Sequence, residues 1–265
     1  MIFWETLFEL LHTETCLICG CSLRRSLLRA WADFADLAVG AQAGVAPSHG
    51  GYSSEEPLSN FICSHCLASF PFERPLAVKT LAQGLPVIYL GEFIDSCRVL
   101  VHQLKFAKVR EAGWVLGWLA AKVLGPYWAA TAPSQRPDVL VPMPLAKERR
   151  QERGYNQCAV IGEVLSKSLA FPMDEELLLR TKETQPQSGL HTIQERAENL
   201  KGAFAVSPAC LQQGALEGVT ILLLDDVCTT GATFQAGARP LQDLGAEVIC
   251  LAMGRGHFVD RARWT

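Results

Sequence analysis

Residues 221–233 read ILLLDDVCTTGAT, four aliphatic residues running straight into two adjacent aspartates and then a Thr-Thr-Gly turn. An uninterrupted apolar run bounded by turn residues reads as a strand covered on both faces. Two like charges at its mouth require something to neutralise them, because a buried and unpaired carboxylate is costly. The turn TTGAT opens a helix, where successive backbone N–H groups point outward and hold a phosphate monoester. Gly231 permits close backbone approach, and the hydroxyls of Thr229, Thr230 and Thr233 can donate hydrogen bonds. The carboxylates of Asp225 and Asp226 can accept them from vicinal hydroxyls. A phosphate grip beside a diol grip describes ribose 5-phosphate. A loop that only caps its helix would account for Thr230 or Thr233, but not for two aspartates at the end of a buried strand.

Working outward, helix and strand patterns alternate from about residue 86. Residues 95–124 read as a helix with a break near Gly113, DVLVPMP at 138–144 as a buried strand stopped by prolines, and 155–170 as an amphipathic helix. LLLR at 177–180 and GAFAV at 202–206 read as short strands. VTILLL at 219–224, a helix at 233–244 and the strand EVICLAM follow. Strands separated by helix-length segments predict an α/β fold, a Rossmann-like parallel sheet with helices on both faces. Ligands bind beyond the carboxyl ends of such strands, which is where Asp225 and Asp226 fall.

The 265 residues suffice for one large α/β domain or a medium one with an appendage, and an apolar share of 49% excludes a mostly disordered chain. A formal charge of −3 gives no global case for nucleic-acid binding, although basic residues cluster in KERRQER at 147–153. No stretch reaches the ~18 uncharged apolar residues of a membrane span. The N-terminal MIFWETLFELLHTETC carries Glu5 and Glu9, lacks a basic n-region, and reads poorly as a signal peptide. Ile2, Phe3, Leu7, Leu10 and Leu11 fit one face of an amphipathic helix that packs on the protein or meets a partner or membrane.

Ten cysteines are many for a chain without an export signal, so the cytoplasm is the expected compartment and a disulfide framework is not. Four of them form two Cys-x-x-Cys pairs, Cys16/Cys19 and Cys63/Cys66, with Cys21 just after the first pair. Two such pairs predict a small zinc ribbon whose four thiolates close the coordination shell of a structural Zn²⁺. The gap of 43 residues between Cys19 and Cys63 exceeds the usual ~15–20, so an insertion at 22–60 must loop out. Cys21 competes with Cys19 for the metal, and a redox pair or inert core cysteines are the alternatives. This region, 1–80, is expected to stand apart from a domain at 86–265.

The run of four hydrophobic residues, two acidic residues and T-T-G-A-T resembles the signature of type I phosphoribosyltransferases. With LVPMPLAKERRQERGYNQ, the 180–204 segment RTKETQPQSGLHTIQERAENLKGAF, LKF at 104–106 and the cysteine pairs, the chain is similar to the ComF family of competence-associated proteins. The resemblance implies that Asp225 and Asp226, the catalytic pair, hold the ribose hydroxyls of phosphoribosyl pyrophosphate. It implies that Thr229, Thr230, Gly231, Ala232 and Thr233 wrap the 5-phosphate. Pro142, Met143, Lys147 and Arg153 would meet the pyrophosphate together with Mg²⁺, and 182–196 would close over the site. The acceptor base would be read by a hood at about 86–112, which offers Tyr89, Phe93, His102 and Phe106. The function implied is transfer of 5-phosphoribose to a nitrogen acceptor. The alternatives are a non-catalytic sensor of that ligand, and an adaptor in DNA uptake in which Arg149 and Arg150 contact single-stranded DNA or a helicase.

Overall fold

The structure, a computed structural model, describes residues 15–23, 56–72, 76, 78–81, 84–182, 193–211 and 216–256. The amphipathic segment at 2–11, most of the insertion at 22–60 and most of the 182–196 segment lie outside the described residues. The chain divides into two compact units, Met1–Phe70 and Pro71–Thr265. In the first, residues 16–21 form a tight loop, closed where the Cys16 N–H donates to the Cys21 carbonyl at 2.8 Å and the Gly20 N–H to the Cys16 carbonyl at 2.9 Å. Two short helices follow, α1 (Glu56–Ser59) and α2 (Ser64–Ala68). The Leu17 N–H donates to the Phe61 carbonyl at 2.8 Å and ties the loop to the segment between those helices.

The second unit runs β1 (Val78–Thr80), β2 (Pro86–Glu92), α3 (Asp95–His102), α4 (Arg110–Ala130), β3 (Val139–Pro142), α5 (Lys147–Arg153), α6 (Gln157–Leu169), β4 (Leu178–Arg180), α7 (Ile193–Leu200), β5 (Phe204–Val206), α8 (Pro208–Leu211), β6 (Thr220–Cys228), α9 (Ala232–Gln242) and β7 (Glu247–Arg255). Its main sheet has the order β1-β2-β7-β6-β3. All neighbours are parallel except the edge strand β1, so the predicted α/β fold with a mostly parallel sheet is what forms. Ile221, Leu222, Leu223 and Leu224 are each fully buried. Since alternate side chains of a strand point to opposite faces, both faces of β6 are covered. α6 packs on β3 and β6 and carries α4, while α9 packs on β6 and β7 and carries β5 and α7.

Four local expectations are revised. The helix at 95–124 breaks at Lys108, which takes a left-handed φ of 58°, and α4 continues through Gly113. That glycine is a packing contact, because a Cβ there would lie 2.7 Å from Val160 Cγ1 of α6. The segment 86–92 is a strand paired with β7, so Tyr89 lies inside the sheet and not in a hood. LLLR and GAFAV leave the main sheet and pair with each other as an antiparallel ribbon, β4–β5. Only part of each is buried, the pattern of a ribbon with one wet face. The last revision concerns β6, which continues past Leu224 through both aspartates to Cys228. β7 pairs along it as far as Cys228, whereas β3 stops at Pro142 opposite Leu224.

Candidate functional site

Beyond Leu224 the ladder of β6 is one-sided, and Asp225 and Asp226 sit where β3 has ended. One carboxylate oxygen from each aspartate and the Cys158 sulfur lie within 4.8 Å of one another. Asp225 Oδ1 accepts from the Asp226 N–H at 2.9 Å and from the Cys158 thiol at 3.5 Å. Asp226 is 3% exposed. Its Oδ1 accepts from Lys105 Nζ at 2.8 Å, and its Oδ2 is buried with no hydrogen-bond partner among the described residues. Burial and the neighbouring Asp226 push Asp225 up to about 7, against the opposing pull of Lys105. Burial draws the Lys105 ammonium down, yet the attraction of Asp226 outweighs it and leaves the lysine above its ordinary value. Burial and both carboxylates hold the Cys158 thiol well above the thiol range, so it is a neutral donor.

The turn that follows has the predicted form. Gly231 adopts a left-handed φ of 80° as the N-cap of α9, and the Ala232 N–H donates to Thr230 Oγ1 at 3.4 Å. A Cβ on Gly231 would sit 2.8 Å from Leu81 Cδ1, so the close approach at this glycine comes from the protein itself. Thr229 is exposed and Thr230 and Thr233 are half-buried. Cys228 is buried beside the Tyr89 hydroxyl at 3.4 Å.

The 142–153 stretch is split in its commitments. The Met143 N–H donates to the Leu224 carbonyl at 2.8 Å and the Met143 carbonyl accepts from Asn156 Nδ2 at 3.1 Å, so the Met143 backbone is already occupied by the fold. Pro142 closes β3. Lys147 opens α5 on the surface. Arg153 is buried, with Nη1 donating to Gln157 Oε1 at 2.8 Å and its guanidinium 5.8 Å from the centre of the Phe106 ring. Among the described residues it has no carboxylate partner. Buried charges are ordinarily paired, which leaves this guanidinium suited to an anion.

Sequence reasoning assigned no role to Lys105, Tyr155, Asn156 or Cys158. All four lie in or beside the stretches LKF and RGYNQ, but nothing in their spacing shows that these meet. The fold brings them together: the Tyr155 hydroxyl donates to the Leu104 carbonyl at 2.6 Å, and Asn156 caps α6 while holding Met143. Phe93, His102 and Phe106 form a ring series, with centroids 6.4 and 5.3 Å apart, and Phe106 is 64% exposed.

In the first unit, the sulfurs of Cys16, Cys19, Cys21 and Cys63 all lie within 4.8 Å of one another, and Cys19 and Cys63 are 3.8 Å apart. Cys63 is the N-cap of α2, accepts from the Cys66 N–H at 3.5 Å, and donates its own N–H to Cys16 Sγ at 3.4 Å. Cys66 is buried beside this group, and burial followed by contact with Cys19 raises its thiol. A backbone hydrogen bond donated by Cys21, with neighbouring thiols, lowers Cys19 to about 6, while the contact with Cys19 raises Cys21 to about 12. A tetrahedral Zn²⁺ with Zn–S bonds of about 2.3 Å needs sulfurs about 3.8 Å apart, so this donor set fits zinc.

The acidic pair has a measurable cost. The folded-state pKa of Asp225 lies above the ~3.9 of an unfolded aspartate, so the folded protein binds the extra proton between about pH 4 and 7. Stability from this carboxyl is full below that window and is lost as pH rises through it. Asp225→Asn, which cannot ionise, is expected to gain stability over wild type across the same window, by roughly 1–3 kcal/mol, and to level off above it. Urea unfolding at several pH values measures this, and a wild-type-to-variant difference independent of pH would contradict it.

No family model matches the chain. Competence protein F of Haemophilus influenzae is 28% identical over 196 residues, covering 71% of this chain and 81% of its own length. The DNA utilization protein YhgH of Escherichia coli K12 is 30% identical over 192 residues, covering 72% and 76%. Competence protein ComFC of Bacillus subtilis is 35% identical over 107 residues, covering 40% and 39%. Among solved structures, the adenine phosphoribosyltransferase of Leishmania tarentolae aligns with 68% of this chain and 94% of its own at 12% identity and a TM-score of 0.37. The orotate phosphoribosyltransferase of Mycobacterium tuberculosis aligns with 67% and 74% at 13% identity and a TM-score of 0.29. With a 30% identical relative matched over three quarters of its length, the chain belongs to the ComF family of competence-associated proteins.

Proposed function

We propose that the protein binds phosphoribosyl pyrophosphate and transfers its 5-phosphoribose to a nitrogen acceptor with release of pyrophosphate. The observation that carries this reading is the succession, at the carboxyl end of one parallel strand, of a buried acidic pair and a glycine-capped helix opening. The turn 229–233 takes the 5-phosphate through backbone N–H groups. Asp225 and Asp226 accept hydrogen bonds from the ribose hydroxyls. As the bond from the anomeric carbon to the pyrophosphate oxygen breaks, its electron pair leaves with pyrophosphate, and the acceptor nitrogen attacks the opposite face. The acidic pair stabilises the cationic sugar, and Arg153, a buried guanidinium with no carboxylate partner among the described residues, meets the leaving anion. Mg²⁺ entering with the ligand would supply charge neutralisation of the leaving oxygens.

Isothermal titration with phosphoribosyl pyrophosphate and Mg²⁺ is expected to show binding to wild type, weakened by a factor of about 10 or more in Asp225→Asn/Asp226→Asn. No binding to wild type ends this reading. If the ligand binds and a panel of nitrogenous bases releases no pyrophosphate, the site is a sensor and not an enzyme.

We assign the thiol cluster to a structural Zn²⁺ held by Cys16, Cys19 and Cys63, with the fourth position taken either by Cys21, which lies in the converging four-sulfur group, or by Cys66, the fourth ligand expected from the sequence, which lies beside that group. Metal analysis is expected to give about one zinc per chain, lost in Cys63→Ser. Whichever of Cys21→Ser and Cys66→Ser retains full zinc identifies the spare thiol.

The names of the relatives, competence and DNA utilization proteins, favour a second and compatible role on single-stranded DNA. Arg149 and Arg150 lie on α5, and Arg150 is exposed with a long 3.9 Å contact to Glu175. A salt-dependent mobility shift of single-stranded DNA that weakens in Arg149→Ala/Arg150→Ala is expected. An absence of any shift at low salt would remove this role.

A further inference from the structure

Lys105 is not carried by an ordinary helix. It occupies the middle of a π-helical segment, Gln103–Ala107, that ends at the left-handed Lys108. Such segments are rare and often mark functional sites. Both flanking residues are held by the RGYNQ stretch. The Tyr155 hydroxyl donates to the Leu104 carbonyl at 2.6 Å, and the Arg153 guanidinium lies 5.8 Å from the Phe106 ring centre. Tyr155 is itself covered by Arg110, 5.3 Å from its ring. The result is an ammonium fixed 2.8 Å from Asp226 Oδ1 while Asp226 Oδ2 stays buried without a donor.

The other groups around the pair do not replace this cation. Cys158 of α6 faces Asp225, Cys97 of α3 feels Asp226, and Cys228 of β6 and Cys250 of β7 feel Asp225. All four thiols are raised by burial first and are neutral. Among the described residues, the acidic pair forms its ion pair with Lys105 alone.

We propose that Lys105 is the positioning residue of the acidic pair: by holding Asp226 Oδ1 from the π-helical segment it opposes protonation of the pair and leaves Oδ2 as the acceptor for one hydroxyl of a phosphorylated pentose. The sugar half of this statement rests on the ligand reading above. The ion-pair half does not. Removing the ammonium raises the pair's titration, so that near neutrality a proton sits where the hydroxyl hydrogen should.

The decisive measurement is ¹³C-carboxyl NMR titration of ligand-free protein, comparing wild type with Lys105→Met, Lys105→Arg and Tyr155→Phe. The pair's titration is expected to move up by about one pH unit or more in Lys105→Met, to stay near wild type in Lys105→Arg, and to move part of the way in Tyr155→Phe. Calorimetry with ribose 5-phosphate from about pH 6 to 9 should then show Lys105→Met binding about tenfold more weakly near pH 7 and recovering as pH rises. A carboxyl titration in Lys105→Met that overlays wild type overturns the proposal. Should Lys105→Met not fold, Lys105→Gln and Tyr155→Phe carry the test, and wild-type titration in both overturns it. A shifted titration with no ribose 5-phosphate binding to wild type supports the ion-pair half and overturns the sugar half.

Discussion

The structure of the second unit turns on the pairing of β6 with β7 beyond the point where β3 ends. Backbone hydrogen bonds on one side hold Asp225, Val227 and Cys228 in register, while on the other side the partner strand β3 has ended at Pro142. A strand that simply stopped at Leu224 would leave two aspartates on a loop, hydrated and cheap. Because β6 continues, the carboxylates are fixed among protein atoms, and the fold must supply a cation and donors to keep them there. Lys105, the Cys158 thiol and the Asp226 N–H meet that demand. The remaining deficit, an oxygen buried without a donor among the described residues and a carboxyl raised to about 7, is a stability cost of the kind that the proposed sugar site would account for.

Much of this was legible from local pattern. The apolar run of β6, the helix-opening glycine and the α/β alternation are short-range signals, and the parallel sheet followed from them. The strand at 86–92 was missed because PVIYLGE continues a chain of apolar residues that also suits a ligand-facing segment, and periodicity cannot separate the two over seven residues. Gly113 reads as a breaker by propensity, but its lack of a side chain serves the α4–α6 contact, which only the partner helix reveals. Likewise Met143 looks like a ligand-facing turn residue until Leu224 and Asn156 are seen to use both of its backbone groups.

The least legible feature was the meeting of three stretches far apart in sequence. LKF, RGYNQ and the acidic pair each contain a residue type with several ordinary uses, and Lys105 alone would be taken for a solvated helix residue. The fold decides otherwise through contacts that are individually modest: one hydroxyl on a carbonyl, one guanidinium over a ring, one ammonium on a carboxylate. The net worth of each is of the order of 1–3 kcal/mol, so none of them alone would hold a π-helical segment in place. Acting on consecutive residues, 104, 105 and 106, they restrict the same few backbone dihedrals, so the ordering entropy is shared among them instead of being incurred three times.

The same economy explains why the basic stretch 147–153 divides as it does. Its arginines cannot all face one site from a single short helix, and the structure separates them by burial. Arg150 stays exposed with a long contact to Glu175, whereas Arg153 is drawn inward onto Gln157 and Phe106. An inward arginine without a carboxylate is expensive to keep unless something else repays its desolvation. Phe106 does part of that through its ring face, and in doing so it couples the guanidinium to the segment that carries Lys105. Arg153 and Asp226 are therefore both tied to the segment 104–106, so that, in the proposed site, an anion arriving at Arg153 would act on the same segment that holds Asp226.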